Sequence, residues 1–295
     1  MRQLVYVAGY GRSGSTLLDI VLGNHPQIFG AGELTWLFRA SLTDRPCSCG
    51  QPLSACPVWA PVVSRVANSH PGLTLSQAAK LTLEAERLFG TRADLEQYVA
   101  LWQTVCRAIL EVTGRPILVD STKSSRLAAN RLPILAECLG VPVKILHVVR
   151  DPRAVMWSVG RGSNRGLEGR GIGRPYGGMA RGLAGWMFSN YVADRTRRRF
   201  DPSASKLVRY EDFTRSPTEV LAELGEFLGV DLGVVDRDLQ QGVSFDPGHG
   251  VAGNRMRRQG GITLKRDLEW QERLPPPARL LALLARPQAR RYGCT

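Results

Sequence analysis

The stretch GYGRSGSTLL, Gly9 to Leu18, holds the residue types that bind a phosphoryl-like anion. Gly9, Gly11 and Gly14 permit a tight backbone turn and bring successive N–H groups close to an anion. Ser13, Ser15 and Thr16 add hydroxyl donors, and Arg12 adds a cation inside the turn. The spacing of Gly9, Gly14 and Thr16 nearly satisfies the triphosphate pattern GxxxxGK(S/T). Ser15 stands where that pattern has the lysine that neutralises the outer phosphates, which argues against ATP or GTP hydrolysis. Such a loop still suits a nucleotide with a single 5′-phosphoryl group.

A second anion site follows from RDPRAVMWS, Arg150 to Ser158. Arg150 offers a fork of donors for bidentate phosphate binding. Ser158 lies about two helical turns further on and reaches the same anion only if the chain folds back from Arg150. Two further groups have chemistry without an obvious structural duty. Lys123 follows Asp120, Ser121 and Thr122, a polar cluster in which Ser121 or Ser124 is the expected helix N-cap. Glu33, between Gly32 and Leu34, is an ordinary surface carboxylate by type, but it comes soon after a phosphate loop.

The elements needed to position these residues are legible. Leu4–Val7 reads as a strand, and Leu17, Leu18, Val21 and Leu22 as the helix after it, whose N-terminus favours negative charge. Pro26 closes that helix, and Gln27–Glu33 makes a short excursion back to the sheet end. Ile117–Val119 and Val141–Val149 are strands, each ending at functional residues, as open parallel sheets arrange them. Pro152 begins a helix. Two helices are expected between Ser76 and Gly114, the first capped by Ser76 and ending near Gly90 and the second from about Asp94 to Val112, and another from Arg126 to Cys138. Gly160–Gly178 is too Gly-rich for regular structure. Met179–Phe200 is a helix with Trp186, Tyr191 and Val192 packed, Glu219–Leu228 is another, and the Pro275–Pro277 run with its basic tail is peripheral. The expected fold is one α/β domain over residues 1–295: a mainly parallel central sheet with helices on both faces, and a helical insertion from about 50 to 114.

Composition sets outer limits. The 295 residues, 43% hydrophobic and 22% charged, are those of a globular protein with room for a large core. A formal charge of +13 implies an anionic partner. No apolar run spans a bilayer, and no signal peptide is evident, so a cytoplasmic enzyme without an integral membrane segment is expected. Cys47, Cys49 and Cys56 allow a metal knuckle, a disulfide or a reactive loop. No fourth ligand lies at a familiar spacing and His70 is remote, so a surface loop with incidental thiols is the default.

GRSGSTLL with the later RDPRAVMWS resembles the sulfotransferases that use 3′-phosphoadenosine 5′-phosphosulfate (PAPS). LVRYEDF, Leu207 to Phe213, resembles a third element of that family, and the three occur in family order between about residues 4 and 213. The resemblance implies a P-loop-like sulfotransferase fold. It implies that Gly11, Arg12, Ser13, Gly14, Ser15, Thr16 and Leu17 bind the 5′-phosphosulfate. Arg150 and Ser158 would bind the 3′-phosphate, and Tyr210 would lie near the adenosine. HPQIFGAGE is most similar to the tyrosylprotein, carbohydrate and bacterial branches, in which a Glu at the position of Glu33 is the general base. Arg12 and Lys123 would stabilise the transferring group, and one of Arg255, Arg257 and Arg258 would contact the 3′-phosphate. Adenosine 3′,5′-bisphosphate (PAP) would be the product, and no metal would be required.

The acceptor implied is a hydroxyl of a carbohydrate, lipid or secondary metabolite. Two alternatives stand beside it. A P-loop kinase of a small metabolite would share the strand–loop–helix but needs ATP and Mg²⁺. A basic nucleic-acid-binding protein would explain the charge but leaves the spacing of Arg150 and Ser158 without a purpose, so no nucleic-acid partner is expected.

Overall fold

β1 (Gln3–Gly9) is buried along its whole length and sits at the centre of a five-stranded parallel sheet of order β2-β3-β1-β4-β5. The computed structural model describes the chain except residues 90–93, 162–174, 259 and 295. The other strands are β2 (Ile28–Gly30), β3 (Ile117–Asp120), β4 (Val143–Val149) and β5 (Ser205–Arg209). Side chains alternate across a strand. Val5 and Val7 accordingly pack on one face, with Leu17, Leu18 and Val21 of α1 (Ser15–Gly23) and with the helix Pro217–Leu228. Tyr6 and Ala8 pack on the other, with Leu132 and Ala193. β1 has β3 on one side and β4 on the other, so the chain reverses its winding there. Ligands bind at the carboxyl ends of strands at such a switch point.

Among the described residues, four α-helices lie between β2 and β3. α2 (Leu37–Leu42) and α3 (Trp59–Ser69) precede α4 (Leu75–Glu86) and α5 (Leu95–Thr113), and all four close on Phe38, Trp59, Tyr98 and Trp102. α2 is too short for a periodicity to show, and Pro61 in the first turn of α3 disguises a helix start that tolerates it. The cap of α4 is Thr74 and not Ser76: Thr74 and Gln77 form a reciprocal capping box.

The helix expected from Arg126 begins only at Arg131, as α6 (Arg131–Cys138), and neither serine caps it. Ser121 Oγ donates to Asp19 Oδ2 at 3.3 Å, and Ser124 Oγ accepts from the Gly9 N–H at 3.4 Å. The cysteine loop is not a loop of incidental surface thiols, because Cys47 and Cys56 are buried.

α7 (Pro152–Gly160) starts at Asp151, whose side chain accepts from the Arg153 N–H. α8 (Pro175–Arg197) begins earlier than expected, so its glycines are helical. Their role is close approach: a Cβ on Gly182 would lie 3.1 Å from Val159, and one on Gly185 would lie 2.6 Å from the Tyr10 ring. The rest of the expected Gly-rich loop falls outside the described residues. Trp186 and Val192 are buried, whereas Tyr191 is 58% exposed and does not pack. The C-terminal segment is not peripheral. Leu274, Ala278, Ala282, Ala285, Ala289 and Tyr292 recur at helical spacing and bury themselves with Val155, Met156 and Trp186 of α7 and α8. Among the described residues, no helix is long and apolar enough to cross a membrane.

Candidate active site

The loop after β1 is held in shape by backbone that only certain residues adopt. Gly9 has φ +112°, and a Cβ there would sit 2.3 Å from the Val148 carbonyl oxygen. Gly14 has φ +95°, and its missing Cβ leaves room for the Tyr210 ring. Arg12 also lies in the left-handed region, at φ 72°, a strained choice for a side-chain-bearing residue. α1 begins directly afterwards, with no side-chain cap, so its first N–H groups remain available as donors.

A cluster of cations faces this loop. Arg12 Nε donates to Ser158 Oγ at 2.9 Å. Arg150 donates to the Arg12 carbonyl at 3.3 Å, pairs with Asp267 at 3.0 Å, and stacks 4.3 Å from the centre of the Tyr210 ring. The Arg150 carbonyl is held in turn by the Trp186 indole N–H. Arg161, one turn after Ser158, reaches the same Asp267 at 3.6 Å. The Arg12 guanidinium is lowered to about 10 by its burial and then by the charges of Arg150, Arg255 and Arg161, with Asp267 opposing them. Excess positive charge at this density favours a multiply charged anion. Arg12 therefore joins the Arg150–Ser158 group as well as the loop.

A second group assembles at the ends of β2 and β3. Lys123 Nζ donates to Glu33 Oε1 in a tight ion pair. Lys123 is itself left-handed, at φ 76°, and the Tyr6 hydroxyl donates to its carbonyl at 2.6 Å. Glu33 is fixed through its backbone. Its N–H donates to the Val251 carbonyl at 2.8 Å, and the Val251 N–H donates to Ala31 at 2.8 Å. Gly32, at φ +81°, allows that approach, since a Cβ would lie 2.3 Å from the Val251 oxygen.

Behind Glu33 lies a network with no signature in the sequence. Arg131, fully buried, pairs with Asp120 at 2.7 Å and with Glu86, and stacks 3.8 Å from the Trp102 ring centre. Glu86 also accepts from Tyr98 at 2.7 Å and from Thr35. Burial pushes the Glu86 carboxyl up, against the pull of Arg131. Thr35 N–H donates to Thr122 Oγ1 at 3.2 Å, which ties the Glu33 turn to the Lys123 turn.

Two cavities meet here. The larger, about 710 Å³, is lined by Gly11, Arg12, Gly14, Ser15, Thr16, Leu17, Glu33, Lys123, Arg150, Ser158 and Tyr210, so the sequence-derived candidates except Ser13 share one cleft. Ser13 Oγ is buried and has no hydrogen-bond partner among the described residues. The smaller, about 360 Å³, contains Arg39, Arg45 and Arg258. Glu33, Trp36 and Gly253 line both. Sequence reasoning missed Trp36, Arg161, Lys265 and Asp267; Arg161 alone had a signal, being one turn beyond Ser158. The late arginines divide: Arg257 is buried against Asp19 of α1, its guanidinium lowered to about 9 by burial. Arg258 lines the smaller cavity, and Arg255 lies near enough to Arg12 to lower it.

The model of the sulfotransferase family matches residues 5–233. The chain belongs to the sulfotransferase family. Similar solved structures share its fold. The sulfotransferase domain from the curacin biosynthetic pathway is 21% identical, with a TM-score of 0.54 over 96% of this chain and 97% of that one. The sulfotransferase domain of the Synechococcus PCC 7002 olefin synthase is 22% identical, with a TM-score of 0.52 over 96% and 94%. Sulfotransferase STF9 from Mycobacterium avium is 12% identical, with a TM-score of 0.52 over 81% and 68%. No curated protein matches the chain in sequence. In this sulfotransferase the glycine-rich loop, the arginine cluster and the Glu33–Lys123 pair all sit at the carboxyl ends of the parallel strands.

Proposed function

We propose that this sulfotransferase moves the sulfuryl group of PAPS to a hydroxyl of a carbohydrate, lipid or secondary-metabolite acceptor, with Glu33 as general base. The observation that carries this is the position of Glu33: it lines both the cation-rich cleft and the smaller cavity beside it. The larger cleft fits the donor nucleotide. Its volume falls in the range of small-ligand sites, and Arg150, which lines it, has a buried Nε without a hydrogen-bond partner among the described residues.

The roles follow from these positions. Ser13, Ser15, Thr16 and the loop N–H groups take the 5′-phosphosulfate, and Arg150 with Ser158 takes the 3′-phosphate. Tyr210 covers the adenosine side. Glu33 accepts the proton as the acceptor oxygen bonds to sulfur. The bond from sulfur to the 5′-phosphate oxygen breaks, and Lys123 and Arg12 stabilise the charge left on the bisphosphate. As in phosphoryl transfer, the protein contributes positioning and electrostatics.

The smaller cavity supports a narrower acceptor class. Arg39, Arg45 and Arg258 line this cavity together with Glu33 and do not line the larger cleft. They suit an acceptor that already bears a carboxylate, phosphate or sulfate. Thermal shift tests the donor: PAP should stabilise the protein strongly, and ATP–Mg²⁺ and an oligonucleotide only weakly. Absence of stabilisation by PAP would overturn the assignment.

A further inference from the structure

Cys47, Cys49, Cys56 and His249 converge on one point, although 193 residues separate Cys56 from His249. One ligand atom from each lies within 4.8 Å of all the others. Cys56 Sγ is 3.3 Å from His249 Nδ1, Cys47 Sγ is 3.9 Å from the same nitrogen, and Cys49 Sγ is 3.9 Å from Cys56 Sγ. A tetrahedral zinc site, with Zn–S of about 2.3 Å and Zn–N of about 2.0–2.1 Å, has S···S edges of about 3.8 Å and S···N edges of about 3.6 Å. The two S···N distances, 3.3 and 3.9 Å, bracket the second value, and the S···S distance of 3.9 Å lies close to the first. They are far from the sulfur–sulfur bond of about 2.05 Å in a disulfide.

The surroundings prepare the same geometry. The Gly50 N–H donates to the Cys47 carbonyl at 3.0 Å, and the Cys47 N–H donates to Gln51 at 2.8 Å, with Gly50 left-handed at φ +87°. This tight turn carries Cys47 and Cys49 on one knuckle. Cys56 stands just before α3. The Trp59 indole N–H donates to the His249 carbonyl, which orients the fourth residue from behind. We infer that Cys47, Cys49, Cys56 and His249 form a structural Cys₃His site for zinc. Three thiolates and an imidazole select a soft, tetrahedral cation over magnesium or calcium. With all four positions filled by protein, the ion has no open position for chemistry.

Its effect would be to fasten two distant segments. The Ser48 N–H and hydroxyl both donate to the Gly250 carbonyl, at 3.3 and 3.0 Å. Val251, next along, is the residue that pairs with the backbone of Ala31 and Glu33. Arg45, Pro46, Leu53 and Val251 also form one wall of the smaller cavity. The ion thus holds the wall of the smaller cavity and the Glu33 backbone. Its bearing on an acceptor rests on the proposed sulfuryl transfer; the existence of the site does not.

The full chain, purified without chelator, should contain about one zinc ion per molecule by elemental mass spectrometry, as a closed structural site requires. Cys49→Ser, at an exposed ligand, and His249→Ala should each lose most of it. Chelation of the wild type should lower its Tm, and cobalt(II) added to the stripped protein should give the visible absorption of tetrahedral cobalt thiolate. PAP binding should survive metal removal. Wild-type protein that carries no zinc and takes up neither zinc nor cobalt would overturn the inference. So would a count of two missing thiols in denaturant without reductant, which would mean that two of the cysteines are joined. Cobalt absorption distinguishes a true site even if the variants fold poorly, and none of these metal readouts depends on the acceptor.

Discussion

Lys123 donates to Glu33 across 90 residues of sequence, and each is delivered by a turn at the end of a parallel strand. The pair spans β2 and β3, neighbours in the sheet, so parallel pairing alone brings the two turns together. Replacing Glu33 by Gln keeps the size and the bond-accepting carbonyl but removes the carboxylate proposed as the base. Turnover should fall by about 10²–10⁴-fold, with PAP affinity within about twofold of wild type. Equal loss of turnover and PAP affinity would remove Glu33 from the chemistry.

Asp267 pairs with both Arg150 and Arg161, where a phosphate is expected to go. Opposite effects on nucleotide binding follow. Arg150→Ala should weaken PAP by about 30-fold or more, because a nearly buried charged partner is lost. Asp267→Asn should tighten PAP by up to about fivefold, the worth of a partly exposed pair. Calorimetric titration separates the two, and a weaker Asp267→Asn complex would contradict this competition.

Arg45 lines the smaller cavity with Glu33, where the acceptor is proposed to bind. Arg45→Glu should raise KM for an anionic acceptor by about tenfold or more while leaving PAP affinity unchanged. Steady-state kinetics with a charged acceptor and its neutral analogue check this. An equal change for both analogues would argue against charge recognition.

Arg131 is wholly buried with two carboxylates around it. Arg131→Met leaves Asp120 and Glu86 uncompensated, and unfolding free energy should drop by about 3–5 kcal/mol. Denaturant titration measures the drop. A change under about 1 kcal/mol would mean that the network contributes little.

His147, in β4, is buried against Asn190, and burial lowers its imidazole to about 4 from the ordinary 6.5. The unfolded chain therefore binds more protons between those two values. This residue's contribution is intact above pH 6.5 and is lost as pH falls toward 4, by about 2 kcal/mol at pH 5. His147→Gln should flatten the acid side of the Tm–pH curve relative to wild type. Parallel curves for the two proteins would show that His147 does not titrate on unfolding.

The residues proposed to touch the nucleotide could be named from the sequence because their geometry is local. A phosphate loop is a few consecutive residues between a strand and a helix, so Gly9, Gly14 and the hydroxyls identify it by spacing. Arg150 and Ser158 are about two turns apart on one strand–helix unit, and Glu33 and Lys123 lie where parallel strands end. The parallel sheet was likewise legible from apolar runs and breaks. Helix starts were less so: Ser76, Ser121 and Ser124 are plausible caps by type, but Thr74 had the matching Gln77, and the two later serines are held by Asp19 and Gly9.

What stayed hidden depends on distant segments meeting. His249 joins three cysteines from across the chain, Asp267 arrives between Arg150 and Arg161, and Arg131 pairs Asp120 with Glu86. Each is one residue of a common type with no repeat or spacing around it. Local pattern encodes backbone conformation and which face is apolar. Partners separated by many tens of residues are selected only when the core closes, because burial there penalises every charge left unpaired. In this sulfotransferase the anion loop could be read along the chain, whereas the company its charged residues keep came from packing.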